Sequence, residues 1–143
     1  MIVLNLALLL RAQLDPQQWT VHAAFGLDAG PRTLRFPDIL LDQAGGRRGD
    51  LTASRPVLAI EVLSPSTAAI DLGDKAAEYL RLPGLAAYLV FAQDEPKAWI
   101  WLRGNQGFAA GPEPISRVDE SIIIPALGLD LPLANIYAGL PEN

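Results

Sequence analysis

The stretch PVLAIEVL, residues 56–63, is an apolar run interrupted by a single charge, Glu61. Its length and its Val, Ile and Leu content are those of a central strand covered on both faces. On its C-terminal side Ser64-Pro65-Ser66-Thr67 breaks the run. A helical stretch follows from about Ala68 or Asp71 to Leu82, with Leu72, Ala76, Tyr79 and Leu80 as its apolar stripe and Pro83-Gly84 as its stop. AAYLVFA, the turn QDEP and KAWIWLR then read as a β-hairpin. On its N-terminal side the glycine-rich polar segment Asp42 to Arg55, DQAGGRRGDLTASR, reads as a surface loop. Before that loop, WTVHAAF and TLRFPDILL read as two strands joined through Asp28, Gly30 and Pro31. Ile2 to Leu14 contains no breaker and stops before Asp15-Pro16, which predicts one helix. Irregular chain rich in glycine and proline runs to about Glu120, then SIIIP and a short helix in LPLANIYAGL close the sequence. This order predicts an α/β (α+β) domain with a mixed sheet flanked by helices.

With 143 residues, the chain fits a single domain over 1–143. A hydrophobic content of 50% supplies enough apolar surface to offset the entropy of ordering, which excludes disorder. The net charge of -5 excludes a broad basic face, so a polyanion must meet a local patch. The absence of cysteine removes disulfides, thiolate metal sites and a cysteine nucleophile. A single histidine, His22, removes multi-histidine metal sites and leaves most hydrolase templates without their base. Chemistry must then rest on carboxylates and lysine. The apolar start MIVLNLALLL has no basic n-region and is too short for a bilayer, so the expectation is a cytoplasmic protein with no membrane partner.

Two carboxylates stand where solubility does not explain them: Asp38 inside an apolar strand and Glu61 in the middle of VLAIEVL. An ionised carboxylate removed from water costs several kcal/mol unless it is paired, hydrogen-bonded or bound to metal. If the two strands are neighbours, Val57, Ala59, Glu61 and Leu63 line one face, and both carboxylates converge on it. Such oxygens, with backbone carbonyls and water, suit Mg²⁺ or Mn²⁺, and a metal there serves phosphodiester hydrolysis. Asp71 and Lys75, at i and i+4 with Glu78 further along, fit a solvated helix face as well as a site. An exposed Lys75 would be replaceable with little loss of stability.

The run FPDIL, then RPVLAIEVLSPSTAAIDLGDKAAEYLRLPGLAAYLVF, then KAWIWL resembles the Uma-two family of restriction-endonuclease-like proteins, in the PD-(D/E)XK nuclease superfamily. The resemblance covers about Arg35 to Arg103, and more weakly the tail IPALGL. It implies a Mg²⁺-dependent endonuclease acting on DNA, with Asp38, Glu61 and the carbonyl of Val62 as metal ligands. It implies that Lys75 takes the catalytic lysine role, because Leu63 occupies the position two after the acid where the superfamily's lysine ordinarily stands. Ser64, Thr67 and Asp71 become the residues that support the strand-to-helix corner. The family generally carries a further segment before the first helix, and this chain begins inside that helix. An alternative of a different class is a catalytically inactive nuclease-fold module for binding or assembly.

Arg47 and Arg48, in the glycine-rich loop, are the candidates for touching a phosphate backbone. Trp99 and Trp101 share one strand face with Lys97 and Arg103, which suits base stacking, a dimer seal or a core edge. His22 on a strand reads as structural. A homodimer is expected, formed through the Trp99-Trp101 face or the Ile2 to Leu10 helix, which would place two clefts on one particle.

Overall fold

The computed structural model describes residues 1–31, 33–64 and 66–141. In chain order the elements are α1 (Ile2–Gln13), β1 (Trp19–Ala23), β2 (Leu27–Gly30), β3 (Thr33–Arg35), β4 (Ile39–Gln43) and β5 (Pro56–Val62). They continue with α2 (Ala68–Leu72), α3 (Asp74–Tyr79), β6 (Ala87–Phe91), β7 (Ala98–Leu102), β8 (Glu113–Ile115), β9 (Ser121–Ile124), β10 (Leu129–Pro132) and α4 (Leu133–Ile136). Six strands form one sheet in the order β1-β4-β5-β6-β7-β8. β5 and β6 are parallel, and the other neighbours are antiparallel. A parallel pair needs a crossover, which α2 and α3 provide.

Alternation along β5 divides its side chains between the two faces. Leu58 and Ile60 join Leu6, Leu10, Leu41, Leu89 and Ile136 in a core beneath α1, α4 and the β9–β10 hairpin. Ala59 and Leu63 join Leu40, Ala76, Tyr79, Tyr88, Val90 and Trp101 in a second core beneath α2, α3 and β2. Val57, expected beside Ala59, packs in the first core instead, next to a register shift between Leu41 and Asp42 in the β4–β5 ladder.

Four further expectations change. The segment TLRFPDILL divides into β3 and β4 because Pro37 cannot donate to a ladder, and Asp38 sits in the bend just before β4, not within a strand. The helix after Thr67 divides at Gly73, whose φ of -110° and ψ of -92° leave the helical region. A Cβ at Gly73 would lie 2.8 Å from the carbonyl oxygen of Ala69, so only glycine fits this break. Glu113–Ile115, within the expected irregular stretch, pairs with β7 as the sixth strand. The closing segment forms β10 before its one-turn helix. Among the described residues no helix is long and apolar enough to cross a membrane.

Candidate active site

Ile39 pairs with Ile60 and Leu40 with Ala59. The ladder ends there; Asp38, in the bend one residue before it, stands close enough for its charge to act on Glu61, whose side chain shares the face of Ala59. That face is the one under α2 and α3. The Val62 N–H donates to Asp38 Oδ2 at 2.7 Å, which fixes the carboxylate against the end of β5. A residue in an extended strand sends its N–H and C=O to the same side, so the Val62 carbonyl faces Asp38 as well.

Glu61 is only 3% exposed. Its Oε1 accepts from the Tyr79 hydroxyl at 3.0 Å and from Lys75 Nζ at 3.4 Å. Lys75 Nζ also lies 2.8 Å from Asp71 Oδ1, and Asp71 is 1% exposed. That contact pairs the charges but lies off the hydrogen-bond direction, so the sealed Asp71 Oδ1 has no hydrogen-bond donor. Lys75 is 18% exposed and is not the solvated helix residue expected from its spacing. The break at Gly73 separates Asp71 in α2 from Lys75 in α3, and the pair spans it.

Burial pushes the Glu61 carboxyl up, and the neighbouring Asp71 and Asp38 charges add to the rise that Lys75 and Tyr79 partly oppose, leaving it at about 7. Burial pulls Lys75 down, but its contacts with Asp71 and Glu61 outweigh this and hold it above its ordinary value. Burial and the Glu61 charge raise the Tyr79 hydroxyl, so it stays a donor. Glu61 and Asp71 thus share the one ammonium of Lys75, and the Asp38 charge acts on Glu61 from beside them. Arg35 and Glu78 nearby neutralise each other through bonds of 2.7 and 2.9 Å. A divalent cation would balance the remaining negative charge. The hydrogen bonds formed among the described residues use Asp38 Oδ2 and Glu61 Oε1, which leaves the second oxygen of each for a hard ligand. With the Val62 carbonyl, this donor set fits Mg²⁺. It does so with two carboxylates, since no cluster of three or more His, Cys, Asp or Glu suited to a metal occurs among the described residues.

The profile of the Uma2 family, described as "Putative restriction endonuclease", matches residues 1–134. The chain belongs to this family. Among solved structures it is similar to one described as a putative nuclease belonging to DUF820 from Anabaena variabilis ATCC 29413, with a TM-score of 0.76 at 14% identity. The likeness covers 96% of this chain and 78% of that one, and it establishes the fold. No curated protein matches the chain.

In this Uma2 protein Asp38, Glu61, Lys75 and Asp71 come together where β5 ends and α2 and α3 begin. Ser64 and Thr67 form the corner: Thr67 Oγ1 accepts from the Ser64 N–H at 3.2 Å, and the two hydroxyls lie 2.9 Å apart. Their role is the turn, as no side-chain cap begins α2. Arg47 and Arg48 are exposed in the loop joining β4 to β5, at the end of that hairpin opposite Asp38 and Glu61. Trp101 is 4% exposed and stacks on Tyr88 at 5.3 Å, so it belongs to the core, while half-buried Trp99 covers the edge of that core beneath Lys97. Two partners lie outside the sequence expectation. Tyr79, an apolar-stripe residue by periodicity, donates to Glu61, and its four-residue spacing from Lys75 within α3 is the signal that places these two on one side. Arg35 tying β3 to α3 through Glu78 has no local signal, because 43 residues separate them.

Proposed function

We propose that this Uma2 protein is a Mg²⁺-dependent endonuclease that hydrolyses DNA phosphodiester bonds. The observation that carries the reading is the meeting of Asp38 and Glu61 beside Lys75, at a strand end where α3 delivers an ammonium to a carboxylate. Asp38, Glu61 and the Val62 carbonyl would hold the metal, which supplies Lewis-acid polarisation of a phosphoryl oxygen. Lys75 remains protonated in this acidic pocket, so it acts as a fixed cation and not as a base. It donates to Glu61 and pairs by charge alone with Asp71, which leaves N–H groups available to orient an attacking water or meet charge developing on the phosphate. Tyr79 keeps Glu61 in one rotamer by donating to Oε1.

The test is nicking of plasmid DNA with Mn²⁺ or Mg²⁺ by wild type and by Glu61→Gln, which keeps the shape and the Tyr79 contact. Wild-type nicking that the variant loses supports the reading. A wild type that binds DNA without cleaving it hands the protein to the inactive binding or assembly module. We propose the homodimer only through the outer stripe of α1, where Met1, Leu4 and Leu8 are 63%, 62% and 60% exposed. Sedimentation at micromolar concentration showing a single 15.4 kDa species would end that proposal.

A further inference from the structure

Beyond β1, on the same sheet face as Asp38 and Glu61, lies a concavity of about 260 Å³ that the reading above does not use. His22 is opposite Leu40 and Thr20 is opposite Asp42, so both side chains belong to the face that carries Leu40 and Ala59. The concavity is lined by Thr20, His22 and Phe25 on one side and by Arg47, Arg48 and Thr52 of the glycine-rich loop on the other.

Three features build it. First, the His22 and Phe25 rings stack at 4.0 Å with 13° between their planes, and both are half-buried. Ala24 makes that stack possible with a φ of +51°, a left-handed conformation that costs a non-glycine residue about 1 kcal/mol or more. Its N–H donates to the backbone carbonyl of Asp38 at 3.2 Å, which joins the strained turn to the carboxylate pair. Second, the loop is shaped from inside. Buried Asp42 accepts from the N–H groups of Ser54 and Arg55 at 3.2 and 2.7 Å, and Asp50 accepts from the N–H of Arg47 at 2.7 Å. Both lining carboxylates are thereby occupied by backbone donors. Third, the guanidinium groups of Arg47 and Arg48 form no ion pair among the described residues. Two free guanidinium forks beside a half-buried aromatic pair are the elements that bind a phosphate and the base attached to it.

We infer that this concavity holds one unpaired nucleotide of the DNA strand, its phosphate on Arg47 and Arg48 and its base against the His22–Phe25 pair. The inference rests on the nuclease reading and names its substrate as DNA with a single-stranded or splayed end. A duplex hides its base faces in the stack, so a stacking pocket this small can be entered only by a base that has left it. Along β4, Asp38 and Asp42 are separated by roughly 13 Å of strand. That is about four steps at 3.4 Å per nucleotide of one duplex strand, and fewer for an extended single strand. The anchored nucleotide therefore lies a few residues from the phosphate presented to Asp38 and Glu61, and the acidic chain gains a local basic foothold.

The test is fluorescence anisotropy in EDTA with a short labelled single-stranded oligodeoxynucleotide, the same strand in a blunt duplex, and the strand with abasic sites. The expected order is single strand bound more tightly than either of the other two. His22→Ala should weaken the single strand at least about fivefold, the low end for loss of a base stack. Arg47→Ala with Arg48→Ala, both exposed and harmless to the core, removes the contact to one phosphate and should lower the salt slope by about 0.7. Equal affinity for abasic and intact strands, equal affinity for the duplex, or indifference to both sets of substitutions overturns the pocket. Glu61-dependent nicking in the separate cleavage assay would leave the nuclease reading standing in each of those cases.

Discussion

On one face of the sheet Leu6, Leu10, Leu58, Ile60, Leu89 and Ile136 pack hydrocarbon against hydrocarbon. The polar atom set into that core, the Tyr137 hydroxyl, donates within reach of the carbonyls of Ala92 and Lys97, at 2.6 and 2.9 Å. On the other face Glu61 and Asp71 lie among Ala59, Leu63, Tyr79 and Tyr88 with one partly covered lysine between them. The first face gains free energy from every methylene removed from water, at about 0.8 kcal/mol each. The second face spends part of that gain on desolvating charge. A chain needing stability alone would have filled both faces alike, and the proposed site accounts for the asymmetry.

The comparison breaks most sharply at the metal site. Asp38→Ala removes one of two carboxylates, so Mn²⁺ binding by calorimetry should disappear and DNA cleavage should fall about 1000-fold, or about 4 kcal/mol. Equal Mn²⁺ binding in wild type and variant would refute the site. Next comes the apolar face. Leu10→Ala, at a position with 0% exposure, should lower stability by about 3–5 kcal/mol in urea unfolding. Mn²⁺ affinity of the folded fraction should not move, and a change there would mean that the two faces are not separable.

The charged face should also show itself in pH. The Glu61 carboxyl is raised from 4.5 to about 7 in the folded protein, so between those values the native state binds more protons than the unfolded chain. Stability should therefore fall as pH rises through that window, by about 3 kcal/mol in total. Thermal unfolding of wild type against Glu61→Gln isolates the effect, and equal slopes would contradict the burial argument. Saturating Mn²⁺ should flatten the wild-type slope, because a cation opposes protonation of its ligand. The smallest effect concerns Lys75. Removing it leaves Glu61 and Asp71 without their shared cation, so Lys75→Ala should cost about 2 kcal/mol at pH 7 and less at pH 5. A loss below a few tenths of a kcal/mol at both pH values would return Lys75 to the solvated role that its spacing allows.

Composition, breakers and alternation determined much of this protein. PVLAIEVL had to be a covered strand because its apolar run is longer than one face needs, and its lone Glu61 had to be unusual because burial of charge is costly. Local chemistry also set the hairpin of β6 and β7, the helix at Ile2 and the glycine-rich loop. Only the tertiary structure decided that Asp38 stands beside Glu61, since register depends on two strands that share no local signal. It decided that Trp101 is core, and that Arg35 reaches Glu78. It also turned one expected helix into two at Gly73, where the carbonyl of Ala69 leaves no room for a side chain. Spacing along a chain reports which residues can share a face. Which faces meet, and which charges are sealed when they do, is settled by packing between segments distant in sequence.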